Sequence, residues 1–395
     1  SPIVRLAYRV NDQGCLLALL SKDGRLLVVR IAADDVAGDH PIITELPQPR
    51  GTVTALALDA LLENLYVGTA DGQVVHVALS ETESPEMRAA YTVAASSTAV
   101  TTLGFLSGDR SLVVMSEDGA VSTWGLVRRA DAPSGWTLIQ IHTLRAHNAP
   151  VTAFAPSQRV KGFVTGDMKG NLFLHHATSS QTLLRLANSE FPIRAVAFAP
   201  KGDGLIALDG AGQLSLYQVQ NAYPEVTLET LFAKVWYEGY DQPAHVWQSS
   251  SGSDDVEPKL GLLPLAFGTL KGTMYALFLA VPIAILAAMC TSQFMHQDLR
   301  AKIKPIIEVM AALPTVVLGF LAGLWLAPLL ERMLPAVAGM ALVLPLLVVV
   351  ASFAWYLCPL SVKRHLPQGQ EALLLIPLLG LGIAGCLWAN SFIEG

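Results

Sequence analysis

Three histidines in the first half of the chain are candidates for ligand chemistry, namely His147, His175 and His176. His147 lies in "RAHNAPVTAFAPS", where it can be a ligand or bond within its own structural unit, and we favour the second interpretation. His175 and His176 are adjacent in a predicted strand, so their side chains point to opposite faces and do not share a metal. No His/Cys pattern with metal-ligand spacing is present. We predict no catalytic residue, no metal site, no cofactor and no enzymatic activity.

Acidic residues in the same half precede glycines in short turns. Asp23, Asp71 and Asp118 each stand directly before a glycine. Asp is favoured in turns because its carboxylate bonds the local backbone. These residues are therefore predicted to shape turns and to take no part in catalysis.

The turns belong to a repeat. Five stretches share an apolar run, a turn that ends in glycine, and then alternating apolar and polar residues. These stretches are "CLLALLSKDGRLLVVRI", "NLYVGTADGQVVHVAL", "SLVVMSEDGAVSTWGL", "GFVTGDMKGNLFLHHA" and "LIALDGAGQLSLYQV". The turn glycines, which we predict to determine the fold, are Gly24, Gly72, Gly119, Gly170 and Gly212. Such a turn with flanking alternation predicts a β-hairpin, because glycine supplies the positive φ that the turn needs.

A further apolar strand precedes most hairpins, as in "TVTALALD" and "PVTAFAPS". Three or four strands at this repeat length are typical of a β-propeller blade, which has about 40–45 residues in the WD40 type. Trp124 occupies the place of the tryptophan of that motif. We predict that residues 1–249 form a WD40-like propeller of at least five blades, with a β-sandwich as the alternative. Residues 225–249 and a segment before Ser1 could complete six or seven blades.

The second half has the composition of a membrane protein. A polar linker, 250–264, precedes four apolar runs at 265–290, 309–330, 333–357 and 372–393. Each run is long enough to cross about 30 Å of hydrocarbon, which takes about 20 residues. We therefore predict an α-helical transmembrane domain over residues 265–395, with about four spans in contact with membrane lipid.

Basic residues in short loops predict the orientation. The predicted loops 294–305 and 358–371 fall on the same side and carry five Lys and Arg between them, against three on the other side. Such loops are retained in the cytoplasm. The β domain is then expected outside, on the periplasmic side of a Gram-negative inner membrane. The formal net charge is only −6, without a basic stripe, which argues against nucleic acid as a partner.

The candidates for a transport pathway lie at the edge of the second apolar run and within it: Glu308 at the edge, and Pro314, Thr315 and Gly319 within. A proline in a membrane helix is either tolerated or frees backbone groups for a pathway or hinge. An acid near a helix N-terminus either favours the helix dipole or takes part in transport. The sequence leaves both pairs of interpretations open.

Two strings in the same region carry a family resemblance. They are "PLAFGTLKGTMYALFLAVPIAILAAMCTSQF" and "LRAKIKPIIEVMAALPTVVLGFLAGLWLAP", and the stretch from Lys304 to Phe320 is the most specific part. Residues 235–330 resemble the inner-membrane permease of phosphate ABC importers, the PstC type, in its long form with a large soluble insertion.

The resemblance implies a permease subunit that imports inorganic phosphate by alternating access. Its partners would be a second permease subunit, two ATPase subunits and a periplasmic phosphate-binding protein. A first span before Ser1 and the motif that docks the ATPase are both expected in the family and are not found in this sequence. We therefore expect the chain to be an internal piece of a longer protein. The alternative function is a membrane-anchored propeller that acts as a binding or scaffold module.

Overall fold

The computed structural model describes residues 2–33, 41–79, 85–95, 98–130, 135–250, 256–295, 297–357 and 371–393. The chain divides into two compact units, residues 1–277 and 278–395.

The described part of the first unit contains five antiparallel sheets that follow one another along the chain. The first sheet has strands β1 (Ile3–Asn11), β2 (Gly14–Ser21), β3 (Leu26–Ala32) and β4 (Ile42–Leu46). The second has β5 (Val53–Leu58), β6 (Asn64–Thr69), β7 (Gln73–Ala78) and β8 (Glu86–Thr92). The third has β9 (Val100–Phe105), β10 (Ser111–Ser116), β11 (Val121–Arg128) and β12 (Trp136–Leu144). The fourth has β13 (Val151–Pro156), β14 (Gly162–Asp167), β15 (Asn171–His176) and β16 (Gln181–Ala187). The fifth has β17 (Ile193–Phe198), β18 (Gly204–Asp209) and β19 (Leu214–Gln218).

Successive sheets pack face to face. Four apolar clusters fill the spaces between the first and second, second and third, third and fourth, and fourth and fifth sheets. The first strands of neighbouring sheets also lie side by side, from β1 and β5 through to β13 and β17. Five meandering sheets that stack around their first strands form a β-propeller, so the predicted fold of at least five blades is confirmed and the sandwich is excluded.

Apolar runs in the sequence correspond to strands of the inner blades that are buried on both faces. Both β10 and β14 are buried at every position, because each of these blades is covered on both faces. Trp124, on β11, packs between the second and third blades and donates its ring N–H to Ser122 Oγ at 2.9 Å.

The two end blades each leave one apolar face uncovered. On β1 the exposed side chains include Leu6, Tyr8 and Val10, and on β19 they include Leu214 and Leu216. In the inner blades the corresponding faces are buried by the next sheet.

Residues after the fifth blade do not add another one. They form helix α1 (Leu228–Phe232) and the short pair β20 (Trp247–Gln248) with β21 (Lys259–Leu260). The predicted contribution of 225–249 to a further blade is therefore wrong, because this segment lacks the long alternating strands of the repeat. Part of the predicted linker is also folded: Glu257 and Lys259 are buried within the first unit.

Helices make up the rest of the described chain. They are α2 (Leu263–Met289), α3 (Gln297–Ala312), α4 (Thr315–Leu321), α5 (Ala327–Arg332), α6 (Leu334–Leu357) and α7 (Glu371–Ile393), with π-helical turns at Cys290–Phe294 and Ala322–Leu326. In the described residues, three helical stretches are long and apolar enough to cross a membrane, namely Leu263–Gln293, Thr315–Arg332 and Leu334–Leu357. The fourth predicted span falls on α7, whose described apolar part, Ile376–Ala389, is shorter than these three.

The helix bounds differ from two predicted boundaries. The second predicted span, 309–330, is divided between two helices, because residues 309–312 belong to α3 and α4 begins at Thr315, after Pro314. The predicted loop 294–305 is helical from Gln297 onward. The loop predicted at 358–371 lies outside the described residues except for Glu371, which begins α7.

Glycines allow α6 and α7 to pack closely in the second unit. A Cβ added at Gly382 of α7 would lie 2.5 Å from Leu347 Cδ1 of α6. At Gly339 of α6, by contrast, an added Cβ would lie 3.6 Å from the sulfur of Cys386, which is an ordinary van der Waals contact. Small residues at such crossings let the helix backbones approach, as in membrane helix pairs.

Candidate functional site

A break between α3 and α4 interrupts the apolar stretch that carries the transport-pathway candidates. Pro314 has φ −60° and ψ 119°, an extended conformation that cannot continue a helix. Proline causes this break because it has no N–H to donate and because it disfavours helical geometry at the residue before it. After the break, the N–H groups of Val317 and Leu318 both bond the carbonyl of Pro314.

The four candidates lie on either side of this break. Glu308 is one turn before the end of α3, Pro314 and Thr315 form the start of α4, and Gly319 is one turn further on. Glu308 is exposed and lies 4.0 Å from Lys304 Nζ, a pair one helical turn apart on the same face. An added Cβ at Gly319 would have open space around it. The structure places these residues in sequence along one broken helix, but it does not bring them together into a pocket.

A chain of hydrogen bonds accounts for two of the histidines. His147 Nδ1 lies 3.0 Å from Asp167 Oδ2, and its Nε2 lies 2.7 Å from Thr165 Oγ1. The same hydroxyl is 2.9 Å from His175 Nε2, and His175 Nδ1 is 3.0 Å from Thr182 Oγ1. Two neutral imidazoles satisfy every link: each Thr hydroxyl donates to one ring, and each ring N–H finds an acceptor.

Burial keeps these rings neutral. It lowers the pKa of His175 to about 3, with a small further effect from His147. Burial also lowers the pKa of His147, although the bond to Asp167 opposes this change. His147 stacks on Phe173 with 3.9 Å between ring centroids. The network therefore ties the turn before the fourth blade to its second and third strands. His176 is buried separately and bonds Ser179 Oγ at 2.9 Å.

A second buried polar cluster, which sequence reasoning missed, lies at the end of the propeller nearest to α2. We call Lys161, Glu238 and Glu257 the ionic cluster. Lys161 Nζ lies 2.7 Å from Glu238 Oε2 and also donates to the backbone carbonyl of Ser107. Glu257 accepts the backbone N–H of Glu238 at 2.5 Å and the hydroxyl of Thr178. The ionic cluster thus holds the segment before α2 against the third and fourth blades.

The cluster places two carboxyl groups beside one ammonium group in a buried site. Burial raises the pKa of Glu257 to about 7, and the Glu238 carboxylate adds to this rise. The bonds from Thr178 and the Glu238 N–H, and the charge of Lys161, act in the opposite direction. Glu238 Oε1 is buried without a hydrogen-bond partner. One shared proton would remove the excess negative charge, because two like charges in one buried site resist joint ionisation.

Neither polar cluster presents a set of metal ligands. Within the described residues, no group of three or more His, Cys, Asp and Glu side chains is placed to hold a metal ion. A cavity of about 310 Å³ adjoins the ionic cluster and is lined by Arg159, His176 and Ser249, among others. Two of the charged residues that line it, Lys161 and Glu257, are engaged in the ionic cluster. The site that best fits a function is the broken apolar helix.

No protein-family model matches the chain. A 78-residue stretch is 30% identical to the probable ABC transporter permease protein YqgH of Bacillus subtilis (strain 168), and it covers 20% of this chain and 25% of that protein. Part of the chain is similar to an ABC transporter permease. The chain spans about a quarter of the length of this relative.

Solved structures resemble the first unit at low identity. The β-propeller domain of Cps50 (Swd1) from Myceliophteria thermophila is 17% identical with a TM-score of 0.45, over 56% of this chain and 71% of that one. The WD40 β-propeller domain of Doa1 is 18% identical with a TM-score of 0.41, over 61% and 69% of the two chains. The fold assignment itself rests on the sheets of this chain and the apolar clusters between them.

Proposed function

We propose that the chain is part of the permease subunit of an ABC transporter that imports inorganic phosphate across the inner membrane. The observation that carries the proposal is the 30% identity to an ABC transporter permease over 78 residues. The apolar helices support a place in the membrane. Phosphate as the substrate rests on the resemblance of the stretch from Lys304 to Phe320 to the permeases of phosphate importers.

The broken helix suits this function physically. A continuous membrane helix satisfies all of its inner backbone groups, whereas a break leaves some of them free to line a path or to act as a hinge. Pro314 creates such a break, and Gly319 offers an open surface one turn beyond it. In many transporters, broken helices of this kind form the substrate site around which alternating access takes place.

In this proposal, ATP is hydrolysed by separate ATPase subunits and not by this chain. A second permease subunit would complete the pathway, and a periplasmic phosphate-binding protein would deliver the anion. The propeller would lie on the periplasmic side, where it could contact that binding protein. The segment after α2 is positively charged, with Arg300, Lys302 and Lys304, and this charge favours a cytoplasmic location for the C-terminal end of α2.

The propeller itself supports a second candidate function, a membrane-anchored binding module. The observation that favours it is the apolar face left exposed at each end of the row of blades, with Val10 on one face and Leu216 on the other. Exposed apolar patches of this kind often bind other proteins. In that case the helices would serve as an anchor.

Purification of the full-length protein from its own membranes separates the two functions. A permease subunit is expected to co-purify with an ATPase and a second permease, and its deletion should abolish uptake of radiolabelled phosphate. Uptake of labelled sulfate in the same cells serves as the control for anion specificity. Unchanged phosphate uptake in the deletion strain, together with the absence of an ATPase, would instead favour the binding module.

A further inference from the structure

A short segment between the fifth blade and α2 is attached to both. At the end of β19, the N–H of Val219 bonds the carbonyl of Asp203 at 2.8 Å, in the loop between β17 and β18. The N–H of Leu262, the residue before α2, bonds the carbonyl of Leu231 in α1 at 2.8 Å. Helix α1 therefore lies beside the residue from which the first apolar span starts.

This segment presents large apolar side chains that the described protein leaves uncovered. Leu228 is 79% exposed and Phe232 is 53% exposed. They are four residues apart and so share one face of α1. Tyr223 is 74% exposed and has a backbone φ of 58°, which non-glycine residues seldom adopt.

The exposed conformation is held in place by local bonds. Thr227 and Thr230 form a capping box, in which each side chain bonds the backbone N–H of the other residue. The hydroxyl of Thr230 also donates to the carbonyl of Glu225 at 2.7 Å. A five-residue helix without such bonds would be marginal in water. These bonds stabilise the conformation of α1 in which Leu228 and Phe232 are exposed.

The position of α2 indicates what covers this face. The apolar stretch of α2 continues from its start at Leu263 to Gln293, interrupted by Lys271. Residues 272–293 span about 33 Å as a helix, close to the thickness of the hydrocarbon core. The stretch from Leu263 to Lys271 then lies at the level of the lipid headgroups, and α1 is bonded to its beginning.

We propose that residues 223–232, the interfacial segment, insert Tyr223, Leu228 and Phe232 into the headgroup region of the lipid bilayer. Aromatic residues favour this region because they have an apolar body and a polar or polarisable edge, and leucine adds buried apolar area. Exposed Lys234, two residues after the end of α1, can pair with anionic lipid phosphates. The interfacial segment would thereby hold the end of the fifth blade that carries the β17–β18 loop at the membrane surface. The proposal requires only that α2 spans the membrane, and it is independent of the transported ion.

Site-directed spin labelling tests the proposal on the full-length protein in vesicles of phosphatidylethanolamine and phosphatidylglycerol. In a variant without native cysteines, nitroxides are attached through Leu228→Cys, Phe232→Cys and, as the control, Met168→Cys. Met168 is half-exposed in the turn between β14 and β15, at the opposite end of the strands. Oxygen, which dissolves in lipid, should relax the labels at 228 and 232 more than a water-soluble nickel chelate does. The order should be reversed at 168.

Two outcomes overturn the proposal. Nickel accessibility at 228 and 232 as high as at 168 would place the segment in water. Protection from both reagents would mean that protein, and not lipid, covers it.

A second measurement needs no label on the segment. A photoactivatable phospholipid in the same vesicles should form adducts on the tryptic peptide 202–234 of the unmodified protein, and not on peptide 162–169. Equal adduct yields on the two peptides, or none on the first, would contradict the proposal.

Discussion

At the scale of single residues, the ionic cluster determines how the chain leaves the propeller. Lys161 comes from the loop between β13 and β14, whereas Glu238 and Glu257 come from the segment that leads to α2. All three side chains are buried, so each charge depends on the others for compensation. Removing one partner from such a site leaves a buried charge without a counter-ion, which usually destabilises a protein by about 3–5 kcal/mol.

We expect Lys161→Met to lower the free energy of unfolding of the first unit by about 3 kcal/mol or more, because two buried carboxyl groups lose their cation. Lys169→Met is the matched control, since Lys169 is exposed and its loss should change stability by less than about 0.5 kcal/mol. Denaturant unfolding of the full-length protein in detergent, followed by tryptophan fluorescence, measures both. Equal stabilities of the two variants would show that the cluster contributes nothing.

Glu257 gives the cluster a dependence on pH. Its pKa in the folded protein, about 7, lies above the ordinary value of 4.5, so the folded state binds a proton more tightly than the unfolded state does. The contribution of Glu257 to stability is therefore greatest below about pH 4.5 and falls as the pH rises towards about 7. Above pH 7 this contribution is constant.

Other groups that can carry charge lie in or near the ionic cluster, and their titration also changes stability with pH. They are Lys161, Glu238, Arg159, Glu225, Lys259, His142, His176, Tyr237, Tyr240 and Asp109. The comparison with Glu257→Gln isolates the contribution of Glu257 from theirs.

We expect hydrogen exchange of the Glu238 and Ala244 amides to speed up between about pH 5 and pH 8 relative to Glu257→Gln at the same pH. Glutamine imitates the protonated acid and should remove the difference. Identical exchange in both proteins at every pH would refute this assignment.

At the scale of elements, the hairpin turns and the helix break are the features that shape the chain. Gly24, Gly72, Gly119, Gly170 and Gly212 each lie in the turn between the second and third strands of a blade, with φ between 76° and 85°. The surroundings of these turns differ. A Cβ added at Gly170 would lie 1.9 Å from the carbonyl oxygen of Ser189, whereas one added at Gly212 would have nothing within 4 Å.

Two alanine substitutions separate backbone strain from steric conflict. Both Gly170→Ala and Gly212→Ala place an L-residue at positive φ, at a cost of about 1–2 kcal/mol. Only the first also forces the backbone near Ser189 to move, which adds about 1–3 kcal/mol. We expect a clearly lower unfolding temperature for Gly170→Ala than for Gly212→Ala, measured by circular dichroism of the full-length protein. Equal unfolding temperatures would mean that the backbone around residue 170 adjusts to the added methyl group without loss of stability.

Pro314→Leu should close the break between α3 and α4. A proline in a helix interior costs about 3 kcal/mol, so its removal favours one continuous helix. If half of that free energy biases one transport state, phosphate uptake falls about tenfold. Uptake is compared at matched protein levels in the membrane, with Pro345→Leu within α6 as the control. Normal uptake with Pro314→Leu would mean that this proline is merely tolerated in the membrane.

At the scale of the whole molecule, the direction in which α2 crosses the membrane determines on which side the propeller lies. Ser250 precedes α2 and Gln297 follows it, so one crossing of the membrane puts them on opposite sides. The basic residues after α2 favour the cytoplasm for Gln297. The propeller would then face the compartment from which a nutrient anion arrives.

Labelling of single cysteines tests this orientation. In a full-length variant without native cysteines, Ser250→Cys should react with a membrane-impermeant thiol reagent in cells with a permeabilised outer membrane. Gln297→Cys should react only after the inner membrane is opened, because the lipid excludes the charged reagent. Both positions are exposed, so burial within the protein does not explain a difference. The reverse pattern would place the propeller in the cytoplasm.

Local features of the fold follow from the sequence because they depend on nearby residues. A glycine after Asp indicates a hairpin turn, and a long uncharged run indicates a membrane helix, because each depends on the backbone or solvation preferences of a few adjacent residues. Boundaries were less predictable. Pro314 lay inside a predicted span, and only the structure shows that the helix is interrupted there.

The sequence alone therefore determined the repeated hairpins, the blade architecture and the apolar helices of this protein. Tertiary structure decided the rest. The lysine of the ionic cluster contacts Ser107, 54 positions away, and Glu257 contacts Thr178, 79 positions away. Nothing local marks these residues, since "VKG" and "VEP" have the polarity of ordinary loops. Their charges interact strongly only because the packed blades exclude water from them. The exposure of Leu228 and Phe232 also depends on tertiary structure, namely on where the fifth blade meets the start of α2.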